Sequence, residues 1–167
     1  MKTTGVRPAR PVHPLAKELL ASNGFLLARL GFGFKGRAVE EVERAGFELY
    51  DYTVLAILSE GILATQGTLA DALNVDPSRL VALLDSLEER GLLERQRDPD
   101  DRRRHVVRIT AAGKREHQRL RGVIRRLEDE FFAPLDPDAR QTFHDLLVRL
   151  AAHNDPACAF AADDAAA

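Results

Sequence analysis

Residues 64–113 read ATQGTLADALNVDPSRLVALLDSLEERGLLERQRDPDDRRRHVVRITAAG, and the reading of this stretch decides the fold. Leu69, Ala70 and Leu73 fall at helical spacing, so 68–73 forms a short helix, and Asn74-Val75 turns the chain. Asp76 fits an N-cap and Pro77 the first helical position, where a missing N–H costs nothing. Leu80, Leu83, Leu84 and Leu87 then recur at i, i+3, i+4 and i+7, which makes one face of this second helix core. The opposite face carries Ser78, Ala82, Asp85 and Glu89, flanked by Arg79 and Ser86. Gly91 ends the helix at C′, with Arg90 in its last turn. Two helices joined by a tight turn, the second with a small polar face near its start, is the helix-turn-helix layout.

A charged hairpin follows at once. Residues 92–97 and 105–109 read as strands, and Val107 and Ile109 alternate with Val106 and Arg108 at period two. Asp98-Pro99-Asp100-Asp101 supplies turn chemistry, and Arg102-Arg103-Arg104 comes directly after it. An arginine-rich hairpin tip beside such a helix is a wing, since Arg is drawn to the negative potential of a narrow minor groove. The expected partner is double-stranded DNA. It would be met by Ser78, Arg79, Ala82 and Ser86 on the helix and by Arg97, Asp101, Arg102, Arg103 and Arg104 on the wing.

Upstream, residues 1–14 hold three prolines with Lys2, Arg7 and Arg10 and read as a flexible arm. Residues 15–45 carry a long helical pattern broken by Gly24, Gly31, Gly33 and Gly36, so the helix bends near 22–24 or needs tertiary support. The glycines allow close packing on a neighbouring helix. They also allow room for a ligand bordered by Phe25, Arg29, Phe32 and Lys35. Residues 50–59 form a compact helix with Val54, Leu55 and Leu58 inward. Its Tyr52 either packs in the core with a hydroxyl partner or lines a ligand cleft. Gly61 closes it, and 62–65 adds a third strand to the wing sheet.

Downstream, Thr110 caps a helix reaching about residue 132, with Leu120, Ile124, Leu127 and Phe131 in a heptad-like stripe suited to helix pairing. Asp136-Pro137 opens a last helix with Phe143, Leu146, Leu147 and Leu150 on one face, and Asp155-Pro156 stops it. Three apolar helical stripes exceed what one small winged domain can cover. The chain therefore reads as a homodimer paired through 15–48 and 114–153, with Leu19, Leu20, Leu127, Phe131, Phe143, Leu147 and Leu150 at the contact. Residues 49–113 form the DNA-binding domain, and 154–167 is an Ala- and Asp-rich tail expected to be disordered. The fold class is mainly α with a small β wing: a winged helix-turn-helix between N- and C-terminal dimerisation helices.

Composition sets the outer bounds. The 167 residues are 45% hydrophobic and 30% charged, as in a helical globular protein. No apolar run suits a membrane span and no secretory signal pattern is present, so the cytoplasm is expected. A single cysteine, Cys158, excludes an internal disulfide framework and a cysteine-based zinc site. The net charge of −2 decides nothing, but residues 95–104 hold five Arg against three Asp, and placement at a hairpin tip gives that cluster a role. The five histidines are scattered, no nucleophile motif such as G-x-S-x-G occurs, and no cofactor is called for, so an enzyme is not expected. A winged module that binds protein instead of DNA is the other reading; it has no need of Arg102-Arg103-Arg104 at the tip.

The run Asp101-Arg102-Arg103 followed by Val107-Arg108-Ile109-Thr110-Ala111-Ala112-Gly113 resembles the wing signature of the MarR (multiple antibiotic resistance regulator) family, D-x-R and then V-x-L-T-x-x-G, with Ile109 in place of Leu. LADALNVDPSRLVALLDSLEERGLLER resembles that family's helix-turn-helix, although members commonly carry Thr and Arg where this chain has Ala82 and Leu83. The resemblance covers about 49–113. It implies a dimeric DNA-binding regulator, commonly a repressor of a palindromic operator, with Arg103 in the minor groove and Asp101 holding it. It further implies release by a small anionic aromatic ligand, for which Arg29 and Tyr52 are candidates. Peroxide-sensing members use a cysteine in the first helix and urate-sensing members a pocket Trp; this chain has neither.

Overall fold

The computed structural model describes residues 13–61, 64–97 and 105–158, and the chain divides into two compact units, 1–36 and 37–167. In the first, α1 (Lys17–Leu20) ends at Ala21 and α2 (Asn23–Arg44) begins two residues later. The expected break near 22–24 is therefore present. The Ser22 hydroxyl accepts from the Phe25 N–H at 3.2 Å, which serves one of the donors a new helix start leaves free. Leu19, Leu20, Leu27, Leu30 and Phe32 are exposed.

The second unit holds α3 (Leu49–Ser59), β1 (Ala64–Thr65), α4 (Gln66–Leu73), α5 (Pro77–Glu89), β2 (Leu93–Arg97), β3 (His105–Ile109), α6 (Ala111–Phe131) and α7 (Pro137–Asn154). A reciprocal cap opens α3, the Glu48 N–H donating to Asp51 Oδ2 at 2.8 Å. Thr65 caps α4, and Asn74 leaves it in the left-handed region at φ 48°, which Asn tolerates. Asp76 caps α5 with Pro77 first inside it, as the sequence predicts, and Gly91 at φ 68° releases the chain into β2.

The sheet runs β1-β3-β2, antiparallel throughout, with Leu93 opposite Ile109 and Arg97 opposite His105. The period-two reading of β3 needs one correction: Val106 and Val107 are both buried. Strands flank β3 on both edges, and α3, α4 and α6 all approach it, so consecutive side chains meet protein instead of one face meeting water.

Leu80, Leu84 and Leu87 of α5 join Val54, Leu55 and Leu58 of α3 and Leu69 of α4 in the core, while Leu83 is half-buried. Leu120, Ile124 and Leu127 of α6 are also buried, on a helix that packs against α3. Leu127, expected at the dimer contact, is only 3% exposed in this one chain; its place is inside the protomer and not on a face open to a second copy. The 18 residues of α7 include no buried one. Its Phe143 and Leu147 are half-buried, and Leu146 and Leu150 are exposed.

Gly113 is where the sheet meets α6. The Thr110 N–H donates to the Leu92 carbonyl at 3.1 Å and the Thr110 hydroxyl to the Gly91 carbonyl at 2.7 Å, while the same hydroxyl accepts the Gly113 N–H at 3.0 Å. A Cβ on Gly113 would lie 2.0 Å from the Leu92 carbonyl oxygen. The T-x-x-G run is thus a steric requirement: Thr110 ties the wing's base to the α6 start, and only glycine fits underneath.

Candidate nucleic-acid interface

The face of α5 opposite its buried leucines carries Ser78, Arg79, Ala82, Asp85, Ser86 and Glu89, all exposed. Sequence periodicity places this face correctly. The structure adds what each side chain is doing. Asp76 accepts from both the N–H of Ser78 (2.8 Å) and its hydroxyl. Those bonds, the side-chain one first, pull the Asp76 carboxyl below the usual carboxylate range. The Ser78 hydroxyl proton is thereby committed to the cap, which leaves its oxygen as an acceptor. Arg79 Cζ lies over the Tyr50 ring, 4.8 Å from its centroid.

Asp85 on this face and Glu88 beside it are both answered by one arginine that the sequence shows only as part of a basic cluster. Arg95 of β2 reaches Asp85 at 2.6 Å and Glu88 at 2.9 Å, and its own backbone N–H donates to Glu88 Oε1 at 3.0 Å. The side chain is 19% exposed, and its Nε and Nη2 are buried without a partner. These bonds fasten β2 to α5. The signal in the sequence was the seven-residue step from Glu88 to Arg95 across a glycine turn, which pairs a helix end with the strand that follows it.

A second fastening holds the far end of α5. The Arg90 guanidinium lies over Phe47 at 3.8 Å, donates to the Gly46 carbonyl at 3.2 Å and approaches Asp51 at 3.8 Å. Arg119 of α6 lies on the same ring at 5.5 Å and donates to the Ala45 carbonyl at 2.9 Å. Burial raises the Asp51 carboxyl above its ordinary value despite the Glu48 N–H and Arg90. Asp51 and Arg90 stand 39 positions apart, so no local pattern joins them.

Of the wing residues, Arg97 is exposed at the end of β2. Asp101, Arg102, Arg103 and Arg104 lie outside the described residues. Phe25 and Arg29 come together on α2, where with Ala28, Phe32 and Gly33 they line an open groove. Tyr52 stacks on His117, ring centroids 5.9 Å apart at an interplanar angle of 25°. Burial, then Glu128, raises the Tyr52 phenol, with Arg121 opposing. Burial, then Arg121, lowers the His117 imidazole, with Glu60 opposing.

That depression has a sign. A histidine whose folded pKa is lowered gives stability above the unfolded value of about 6.5 and loses it as pH falls through the folded value. The melting temperature of the wild type is expected to drop more between pH 7.5 and 5 than that of His117→Gln. Parallel pH profiles of the two proteins would contradict it.

Comparison with known proteins agrees with this geometry. The MarR family profile matches residues 48–105. A protein of Thauera aromatica named as a transcriptional regulator for the hcr operon is 34% identical over 99 residues, 59% of this chain and 60% of that protein's length. Among solved structures, a MarR-family transcriptional regulator from Rhodococcus sp. RHA1 is similar at 29% identity and a TM-score of 0.67, covering 77% of this chain and 92% of that one. CouR from Rhodococcus jostii RHA1, bound to p-coumaroyl-CoA, is similar at 29% identity and a TM-score of 0.68, covering 81% and 96%. These relatives are named as transcriptional regulators, and the MarR match takes in α3 to β2 of this chain, which is similar there to MarR-family regulators.

Proposed function

We propose that the protein is a homodimeric, DNA-binding transcriptional repressor that binds a near-palindromic operator and is released by a small anionic aromatic ligand. The observation that carries the DNA reading is the α5 face. It is exposed from Ser78 to Ser86, held from behind by buried leucines, and fastened to the wing through Arg95. Two such helices related by a two-fold axis would enter successive major grooves about 10 base pairs apart, with Ser78 and Arg79 at base edges and Arg103 in the minor groove. The unburied α7 supports the dimer. The aromatic ligand is supported by the p-coumaroyl-CoA of CouR and by the pairing of Phe25 with Arg29 on one groove.

Gel shifts at two salt concentrations test the DNA reading, because counterion release makes such binding fall steeply with salt. A winged module for protein binding would show no salt-dependent shift. Footprinting on the selected duplex tests the palindrome. Arg103→Ala is expected to weaken binding strongly and to reduce the salt slope by about one unit. Asp101→Ala is expected to weaken it too, although it removes a negative charge. Tighter binding by Asp101→Ala would mean that simple charge governs the tip and that Asp101 does not orient Arg103. Thermal shift against a panel of aromatic acids and their thioesters tests the ligand.

A further inference from the structure

The contact between Arg79 and Tyr50 joins residues of different elements. Tyr50 lies in the first turn of α3, and Arg79 in the first turn of α5. The Tyr50 backbone is held by the reciprocal cap between Glu48 and Asp51, and Asp51 in turn approaches Arg90 at the other end of α5. Arg79 itself is exposed and meets no carboxylate among the described residues. The kind of partner matters. A carboxylate would occupy the N–H donors of the guanidinium, whereas a ring meets the cation through its π face and leaves the donors free. Those free donors are what a guanine edge takes in the major groove, through O6 and N7. A guanidinium also carries about 2 kcal/mol of rotamer entropy, part of which a ring contact removes before DNA arrives.

We propose that Tyr50 is a specificity-determining positioning residue, whose ring holds the Arg79 guanidinium with its donors free for one base edge. The proposal rests on the DNA-binding reading above, and its test separates the two. The full chain is used to select a preferred duplex from a randomised pool. Affinity is then measured for every single-base variant of that duplex with the wild type, Tyr50→Phe, Tyr50→Leu, Arg79→Ala and the Tyr50→Leu/Arg79→Ala double variant. Tyr50→Phe keeps the ring and is expected to match the wild type. Tyr50→Leu is expected to lose about 2–5-fold in discrimination, the range of an exposed cation–π contact. That loss should fall only at the base position where Arg79→Ala loses it, and the double variant should equal Arg79→Ala alone. Uniform weakening on all duplexes, losses that add in the double variant, or unchanged discrimination in Tyr50→Leu would each overturn the proposal. Tyr50→Met, also ringless, is read in its place should Tyr50→Leu not fold. A wild type that selects no duplex would overturn the DNA-binding reading itself, whereas a selective wild type with an equally selective Tyr50→Leu overturns only the role of Tyr50.

Discussion

Gly113→Ala is expected to destabilise the chain strongly, through a collision that a Cβ at no other glycine among the described residues would meet. The new Cβ would lie 2.0 Å from the Leu92 carbonyl oxygen and 2.7 Å from Ile109 Cγ1. Neither neighbour can yield cheaply, because Leu92 is tied to Thr110 by the backbone bond and Ile109 opposes Leu93 in the sheet. Overpacking a well-filled site typically costs about 1–3 kcal/mol, and a collision with backbone belongs at or beyond the top of that range. Gly122→Ala is the matched control. Its methyl meets only Arg126 Nη1 at 3.8 Å, and the helix interior should gain roughly 0.5–1 kcal/mol. Urea midpoints that move in opposite directions are the expected result; equal midpoints would refute the close approach beneath the wing.

The second large effect concerns assembly. Leu147→Asp combined with Leu150→Asp is expected to give a monomeric or poorly folded chain that no longer binds a two-site operator. An 18-residue helix with no buried residue gains little from its own protomer, and Leu146 and Leu150 stand 49% and 54% exposed. Apolar exposure of that kind is normally covered by a partner. Sedimentation of the wild type at micromolar concentration decides the matter: a monomer would remove the dimer reading, and with it the two-fold operator.

Much of this was legible in the chain, because its decisive signals are local. Asp76-Pro77, Asn74, Gly91 and Thr110 each fix a boundary through the chemistry of two or three neighbours, and the structure places the caps and turns where those residues stand. The leucine period in α5 gave both its buried and its exposed face. What escaped depends on distance in the chain. The α6 stripe from Leu120 to Phe131 has the same period whether it meets α3 of its own chain or another molecule, so periodicity could not say which. Val106 reads in the sequence as one side of an alternating strand, because the sequence does not reveal that α3, α4 and α6 all approach β3. Tyr50 under Arg79, and Phe47 between Arg90 and Arg119, join residues that only the folded chain brings together.

The bonds from Arg95 to Asp85 and Glu88 have a kinematic consequence. Changing the angle between the wing strand and the recognition helix would expose a mostly buried guanidinium with two nitrogens already unpartnered, so the two parts travel as one rigid fork. A fork of this kind cannot loosen its grip by folding its prongs. On the proposed dimer, release of DNA would tilt or translate the whole of it, and the variable left to adjust would be the separation of two forks against the fixed repeat of about 34 Å along the duplex.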